Sequence, residues 1–259
     1  MRLACKLGAI LSLLAAATPV RGQTLRVAAA ADLQYAMRDL AGQFEKQSGI
    51  TVAPTYGSSG NLRSQIQNGA PFDLFFSADA EYPRQLVASG FADADTLTVY
   101  AHGHLVLWAS VDEKLDLPRS GFEALKDPRV LKIAIANPEL APYGRAAIAA
   151  LQKTGLFETV KPKLIFGENI SQAAQFVQSR SAQVGILALS LTFAASMKNG
   201  EKWEVPARLY PAIEQAAVMV HSSTNKKAAR AFLDFVRSGD GRQILTKYGL
   251  SLDDAASQP

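Results

Sequence analysis

Cysteine is nearly absent from this chain: Cys5 is the only one among 259 residues. It precedes an uncharged apolar run, residues 7–17 (LGAILSLLAAA), which is the wrong side for a cysteine that is to carry a lipid after cleavage. With no second cysteine there is no disulfide and no C-x-x-C metal or redox pair. Long apolar stretches are also missing, since this run is short of the roughly 20 residues a membrane span needs. Arg2 and Lys6 stand before it and Val20-Arg21-Gly22 after it, which is the layout of a secretory leader over residues 1–22. Cleavage after Gly22 leaves Gln23 first, so the mature chain is expected in the periplasm without membrane insertion.

An excess of either charge is lacking too. The formal net charge is +4. Arg2, Lys6 and Arg21 belong to the leader, however, so 24 basic residues face 23 acidic ones in the remainder. No run of Lys or Arg forms the clustered basic face that nucleic acid requires. No G-x-S-x-G elbow marks a hydrolase nucleophile, and no G-x-x-x-x-G-K-[ST] loop marks an ATPase. Of three histidines, His102 and His104 would share one face of a strand, but no matching Cys, Asp or Glu pattern completes a metal site. The chain is read as a non-enzyme with neither cofactor nor protein-ligated metal.

What is present is an alternation of short β-rich runs with helical patterns. Residues 25–30 (LRVAAA) read as a buried strand, after which Leu33, Met37, Leu40 and Phe44 repeat at helical spacing. Residues 51–56 and 73–78 are further strands, followed by helices carrying Leu62 and Ile66, then Tyr82 and Leu86. Residues 98–109 (TVYAHGHLVLWA) form a long extended run broken at Gly103, suited to carrying the chain from one lobe into another. A second set has strands at 131–136, 163–166 and 184–189, with helices opening near Pro142 and Asn169. Residues 216–220 return as a strand, and Phe232, Phe235 and Val236 place a C-terminal helix on a core. The pattern predicts an α/β chain of two similar lobes, each a mixed, mostly parallel sheet flanked by helices. The first lobe is assigned residues 23–101 with 208–259, the second 102–207.

In open α/β sheets ligands gather at the carboxyl ends of the strands, where helices begin. Four such junctions here are small, neutral and hydrogen-bonding: Ala30-Ala31-Asp32, Gly57-Ser58-Ser59-Gly60, Ala141-Pro142-Tyr143-Gly144 and Gly167-Glu168-Asn169-Ile170. The first amides of a helix have no partner within it and sit at its positive end. Several converging ends therefore hold an anion without Lys or Arg, and Ser58 or Ser59 adds a hydroxyl donor. Each piece alone has a plainer reading. GSSG is a turn, Asp32 and Asn169 are helix caps, Pro142 is an ordinary helix start, and Tyr143 packs. The combination is what points to an anion.

The succession VAAAADLQYAM, YGSSGNLRSQIQNGAPFDLFFSAD, ANPELAPYGRAAIAAL, GENISQAAQFV and VGILALS resembles the molybdate-binding proteins of ABC transporters, from about residue 25 to 249. The resemblance implies a type II periplasmic-binding-protein fold, with molybdate or tungstate held in the cleft between two hinged lobes. It implies the membrane permease subunits of a transporter as partners; the chain is expected to be a monomer. It places the ligand at Ala31 and Asp32, at Ser59 with Ser58 beside it, at Tyr143, and at Ile170 through its amide. Some relatives bring a tyrosine hydroxyl from the strand where this chain has Ala188; here Tyr143 supplies it from the opposite junction. Asp32 stands where relatives often carry a neutral Ser or Asn, and a carboxylate facing a dianion repels it. Two readings of Asp32 stay open: it turns onto its own helix amides, or it accepts a proton from an oxyanion such as hydrogen phosphate. Phosphate or sulfate is thus the competing ligand, and a periplasmic hydrolase the competing class.

Overall fold

The computed structural model describes residues 24–252; the expected leader, with Cys5, lies outside them, as do residues 253–259. β1 (Thr24–Ala30) starts with alternate residues buried and ends with four buried in succession, as in a strand running from a sheet's rim into a covered centre. β2 (Thr51–Gly57) is largely exposed and contains Pro54, which a ladder tolerates at an edge because Pro donates no hydrogen bond. Between them α1 (Gln34–Ser48) buries Ala36, Met37, Leu40, Ala41 and Phe44, a stripe at spacings of three and four that faces the sheet. α2 (Ser59–Gln67), β3 (Leu74–Ser77), α3 (Glu81–Ala88) and β4 (Thr98–Gly103) complete this part of the chain.

The next part comprises β5 (Leu105–Ser110), α4 (Leu117–Ser120), β6 (Ile133–Ala136), α5 (Pro142–Lys153), α6 (Phe157–Val160), β7 (Leu164–Gly167), α7 (Ile170–Gln178), β8 (Val184–Ala188) and β9 (Gly200–Glu204). The chain then returns through β10 (Ile213–Met219), α8 (Lys226–Arg237) and α9 (Gly239–Lys247). Two five-stranded sheets result, ordered β2-β1-β3-β10-β4 and β7-β6-β8-β5-β9. Each is mixed. In the first, β1 runs parallel to β2 and β3, while β10 runs antiparallel to β3 and β4. In the second, β6 is parallel to β7 and β8, while β5 is antiparallel to β8 and β9. Helices flank both sheets, which is the two-lobed α/β architecture predicted from the alternation of runs. The extended run around Gly103 divides as expected: β4 belongs to one sheet and β5 to the other, with His104 between them.

Four elements were not read in the sequence: the four-residue helices α4 and α6, β9 and α9. β9 (GEKWE) is half exposed and polar, so no apolar run announces it. α9 opens on Gly-Asp-Gly and buries only Gly241 and Leu245.

The returning segment is bonded into the first sheet by aromatic packing and by one buried carboxylate. Phe232 of α8 meets Phe44 of α1 at 5.0 Å and Phe76 of β3 at 5.8 Å, both edge to face, a favoured arrangement of ring quadrupoles. Asp73 is fully buried. Its Oδ2 accepts from the Arg26 amide at 2.7 Å, and its Oδ1 accepts from Ser223 Oγ at 2.7 Å and Asn225 Nδ2 at 3.2 Å. One side chain thus ties β1 to the turn that launches α8. Asp73→Ala leaves these buried donors without an acceptor and is expected to cost about 2–4 kcal/mol. Urea unfolding should report this as a lower midpoint with an unchanged slope.

Candidate functional site

Three helices and a 3-10 turn begin around one small cavity. Its wall comprises Ala30, Ala31 and Asp32 after β1, Ser58 and Ser59 after β2, and Ala78 after β3. From the second sheet come Ala141, Pro142 and Tyr143 at the start of α5 and Ile170 at the start of α7. All six residues singled out in the sequence, Ala31, Asp32, Ser58, Ser59, Tyr143 and Ile170, are therefore brought together. The space open to a water-sized sphere is only about 10 Å³, far below the roughly 300 Å³ at which pockets for drug-sized molecules begin, so it suits at most a small ion. No Lys or Arg lines it.

Its donors are backbone amides and the hydroxyls of Ser58 and Ser59. Ser59, Tyr143 and Ile170 lie in the first turns of α2, α5 and α7, where an N–H has no carbonyl one turn earlier. None of these three amides is engaged elsewhere among the described residues. Ser59 Oγ accepts from the Ala78 amide at 3.1 Å, so its own proton remains free to be donated. The caps decide where the free amides point. Ser58 caps α2 by accepting from the Asn61 amide at 3.4 Å, and Asn169 caps α7 by accepting from the Ser171 and Gln172 amides at 3.0 Å each.

Asp32 is no cap. It sits inside the 3-10 turn Ala31–Leu33, whose cap position is Ala30, while the cap position of α1 is Leu33. Its carboxylate is two residues too late for the turn and one too early for the helix. Instead Oδ2 accepts from Gln215 Nε2 at 2.7 Å and from the Tyr143 hydroxyl at 3.2 Å. Oδ1 is buried and has no hydrogen-bond partner. Burial raises the Asp32 carboxyl to about 6, against the lowering effect of the bonds from Gln215 and Tyr143 and of its own amide. The Tyr143 phenol is pushed well above its usual range, by burial first and then by the neighbouring Asp32 charge. Its proton is already directed at Asp32, which leaves its backbone amide as its donor toward an anion.

Gln215 was missed in the sequence. It is the fully buried polar residue of β10, and its Nε2 also donates to the Tyr143 hydroxyl at 3.3 Å. Its Oε1 accepts from the Tyr100 hydroxyl at 3.2 Å. The signal was a lone amide in an apolar stretch (IEQAAVMV), overlooked because the strand was begun at Ala216. Gly103, at the crossing into β5, is held to glycine by this group: a Cβ there would lie 2.1 Å from the Tyr143 hydroxyl. His102 and His104 do not share a strand, since His104 lies in the connection, where its Nε2 is 3.0 Å from Ser251 Oγ. Among the described residues no group of three or more His, Cys, Asp or Glu is placed to hold a metal ion.

The two halves of the cavity are held against each other. The Gly60 amide donates to the Leu140 carbonyl at 2.9 Å, Asn61 Nδ2 to Glu168 Oε1 at 3.0 Å, and Ser171 Oγ to Gln34 Oε1 at 3.0 Å. Arg145 of α5 donates to the Tyr82 hydroxyl at 3.0 Å and pairs with Asp79. Ala30, Ala31 and Ala78 pack into the core of the second sheet. The conformation is closed.

Comparison with known proteins agrees with this geometry. Residues 25–251 match the family described as bacterial extracellular solute-binding protein. The chain is 38% identical over 252 residues to the molybdate-binding protein ModA of Azotobacter vinelandii, covering 97% of each. It is 38% identical over 237 residues to ModA of Rhodobacter capsulatus, covering 90% of each. In three dimensions it matches the solved periplasmic molybdate-binding protein of Azotobacter vinelandii with a TM-score of 0.83 at 34% identity, covering 89% of this chain and 100% of that one. Fold and sequence agree along nearly the whole described chain, which belongs to the bacterial extracellular solute-binding protein family, a family of binding proteins rather than enzymes.

Proposed function

We propose that this protein captures molybdate or tungstate outside the cytoplasm, by closure of two lobes, and delivers it to the permease subunits of an ABC transporter. The observation that carries the reading is the small cationless cavity at three helix starts, in a chain 38% identical to proteins named for molybdate binding. The ligand is cargo, and no resident cofactor is assigned. Molybdate and tungstate carry no proton near neutral pH, so a pocket of donors suits them better than hydrogen phosphate, whose hydroxyl needs an acceptor. Cavity size separates them from the smaller sulfate. The donors come from both lobes, so the anion favours the closed state because only there do both sets reach it. We assign the protein to the periplasm as a monomer. No helix among the described residues is long and apolar enough to cross a membrane.

Calorimetric titration with molybdate, tungstate, sulfate and phosphate tests the assignment; heat with only the first two is expected, and binding of sulfate or phosphate alone would overturn it. Ser59→Ala removes a free hydroxyl proton from the wall and is expected to lower affinity at least about tenfold. The variant should stay folded, losing only about 1–2 kcal/mol for the orphaned Ala78 amide. Gly60→Ala acts on closure instead. The added Cβ would lie 2.9 Å from the Leu140 carbonyl of the facing lobe and 3.1 Å from the Tyr82 hydroxyl. Affinity should fall while the melting temperature of the free protein is kept, and small-angle scattering should show the contraction on adding molybdate only for the unmodified protein.

A further inference from the structure

We infer that Asp32 meets the bound anion as a neutral carboxylic acid, donating a hydrogen bond from Oδ1, so that capture of one anion takes up one proton from solvent. The inference rests on the oxyanion reading of the cleft and specifies the chemistry of its one acidic residue. Asp32 lines the cavity. Its Oδ2 already holds two donors, from Gln215 and Tyr143, whereas the buried Oδ1 holds none. A fully deprotonated oxyanion offers only lone pairs, so an ionised Oδ1 would meet acceptor with acceptor and charge with like charge. One proton on Oδ1 turns this contact into a charge-assisted hydrogen bond. The proton comes from solvent and stays on Asp32; no bond to the ligand breaks.

The surroundings supply no positive charge to hold Asp32 ionised. From α5 it faces the Tyr143 phenol, and the Tyr100 phenol of β4 feels its charge; burial keeps both phenols neutral. β10 contributes the uncharged Gln215. Ser190, on the turn after β8, donates to the Asp32 carbonyl at 2.8 Å. The turn after β8 (Leu189–Phe193) and the adjoining start of α7 carry no titratable side chain. His102, also on β4, lines a surface cavity with Arg237 and Arg242 instead. Glu168 at the rim is bonded to Asn61.

The direction with pH follows. The Asp32 carboxyl is raised to about 6 in the closed state, chiefly by desolvation. Its support of that state is complete in acid and is lost as the pH rises through this value. A bound anion raises it further, which carries proton uptake into the neutral range. Had the ligand been a protonated oxyanion with Asp32 as acceptor, the proton would arrive with the ligand and solvent would lose none.

The test is calorimetric titration of the purified protein and of Asp32→Asn with micromolar molybdate, tungstate, phosphate and sulfate. Two buffers of different ionisation enthalpy count the protons, between about pH 6.5 and 9. For the unmodified protein we expect molybdate affinity to fall about tenfold per pH unit toward the upper end, with close to one proton taken up per anion. Asp32→Asn should bind molybdate without proton uptake, at an affinity flat with pH and above that of the unmodified protein at about pH 9. Molybdate binding that is flat with pH and uptake-free in the unmodified protein overturns the inference and leaves the ligand assignment standing. Tight phosphate binding abolished by Asp32→Asn overturns it the other way, making Asp32 a proton acceptor. No heat from any of the four anions with either protein sinks the oxyanion reading and this inference with it. Proton counting on the unmodified protein decides the matter even if the variant does not fold.

Discussion

An anion enclosed without a cation is held by dipoles, and backbone dipoles cannot be re-aimed by changing a rotamer. The Ser59, Tyr143 and Ile170 amides point where α2, α5 and α7 begin. Those beginnings are set in turn by caps and by the strands that feed them. The Ser58 cap and the parallel register of β2 on β1 place one amide; the Asn169 cap and the register of β7 on β6 place another. The accuracy of the site is therefore a property of two whole sheets. This also accounts for the small wall residues Ala30, Ala31, Ala78 and Ala141. A larger side chain there would fill the cavity and keep the main chain away from its guest.

Closure divides between two kinds of contact. At the rim, Asn61–Glu168, Ser171–Gln34 and Arg145–Asp79 involve partly exposed groups, and exposed pairs of this sort contribute little each. Several weak bonds leave the closed state accessible without making it irreversible, which is what a carrier that must release its cargo requires. The inner contact is of another kind: Asp32, Tyr143, Gln215 and Tyr100 form one buried network across the lobes, pressed against Gly103 where the chain crosses between sheets. In low dielectric each such bond counts for more, and an unmatched group costs more. The charge on Asp32 is thus felt where the lobes turn.

Most of the fold was legible because burial repeats along the chain. The stripe Met37, Leu40 and Phe44, and the helix starts at Pro142 and Asn169, stand where they were expected. The convergence of the cavity wall was legible for a related reason: strand ends followed by helix starts are local patterns, and four of them converge once the sheets form. What escaped had a weak or misleading local signature. β9 pairs through its backbone while showing polar side chains. Asp32 looked like a cap because Asp before a helix commonly is one. Its partners, Gln215 and Tyr143, lie 183 and 111 residues away, beyond any windowed pattern. Long-range pairing of polar groups is the part of a site that a single sequence conceals.

Asp32 then decides which anion the donors select. A ring of amides and hydroxyls treats a bare dianion and a hydrogen-bearing one alike, except at the point where the extra hydrogen must find an acceptor. In this cavity that point is Asp32 Oδ1, the buried oxygen without a partner. Ionised, it would accept the proton of hydrogen phosphate; neutral, it sets donor against donor and rejects the same ligand. A site whose buried polar group is left unmatched by the wrong ligand discriminates by several orders of magnitude, far more than a difference in size achieves. An aspartate buried among phenols and an amide does so through its proton, because desolvation and a bound negative charge push its titration in the same direction.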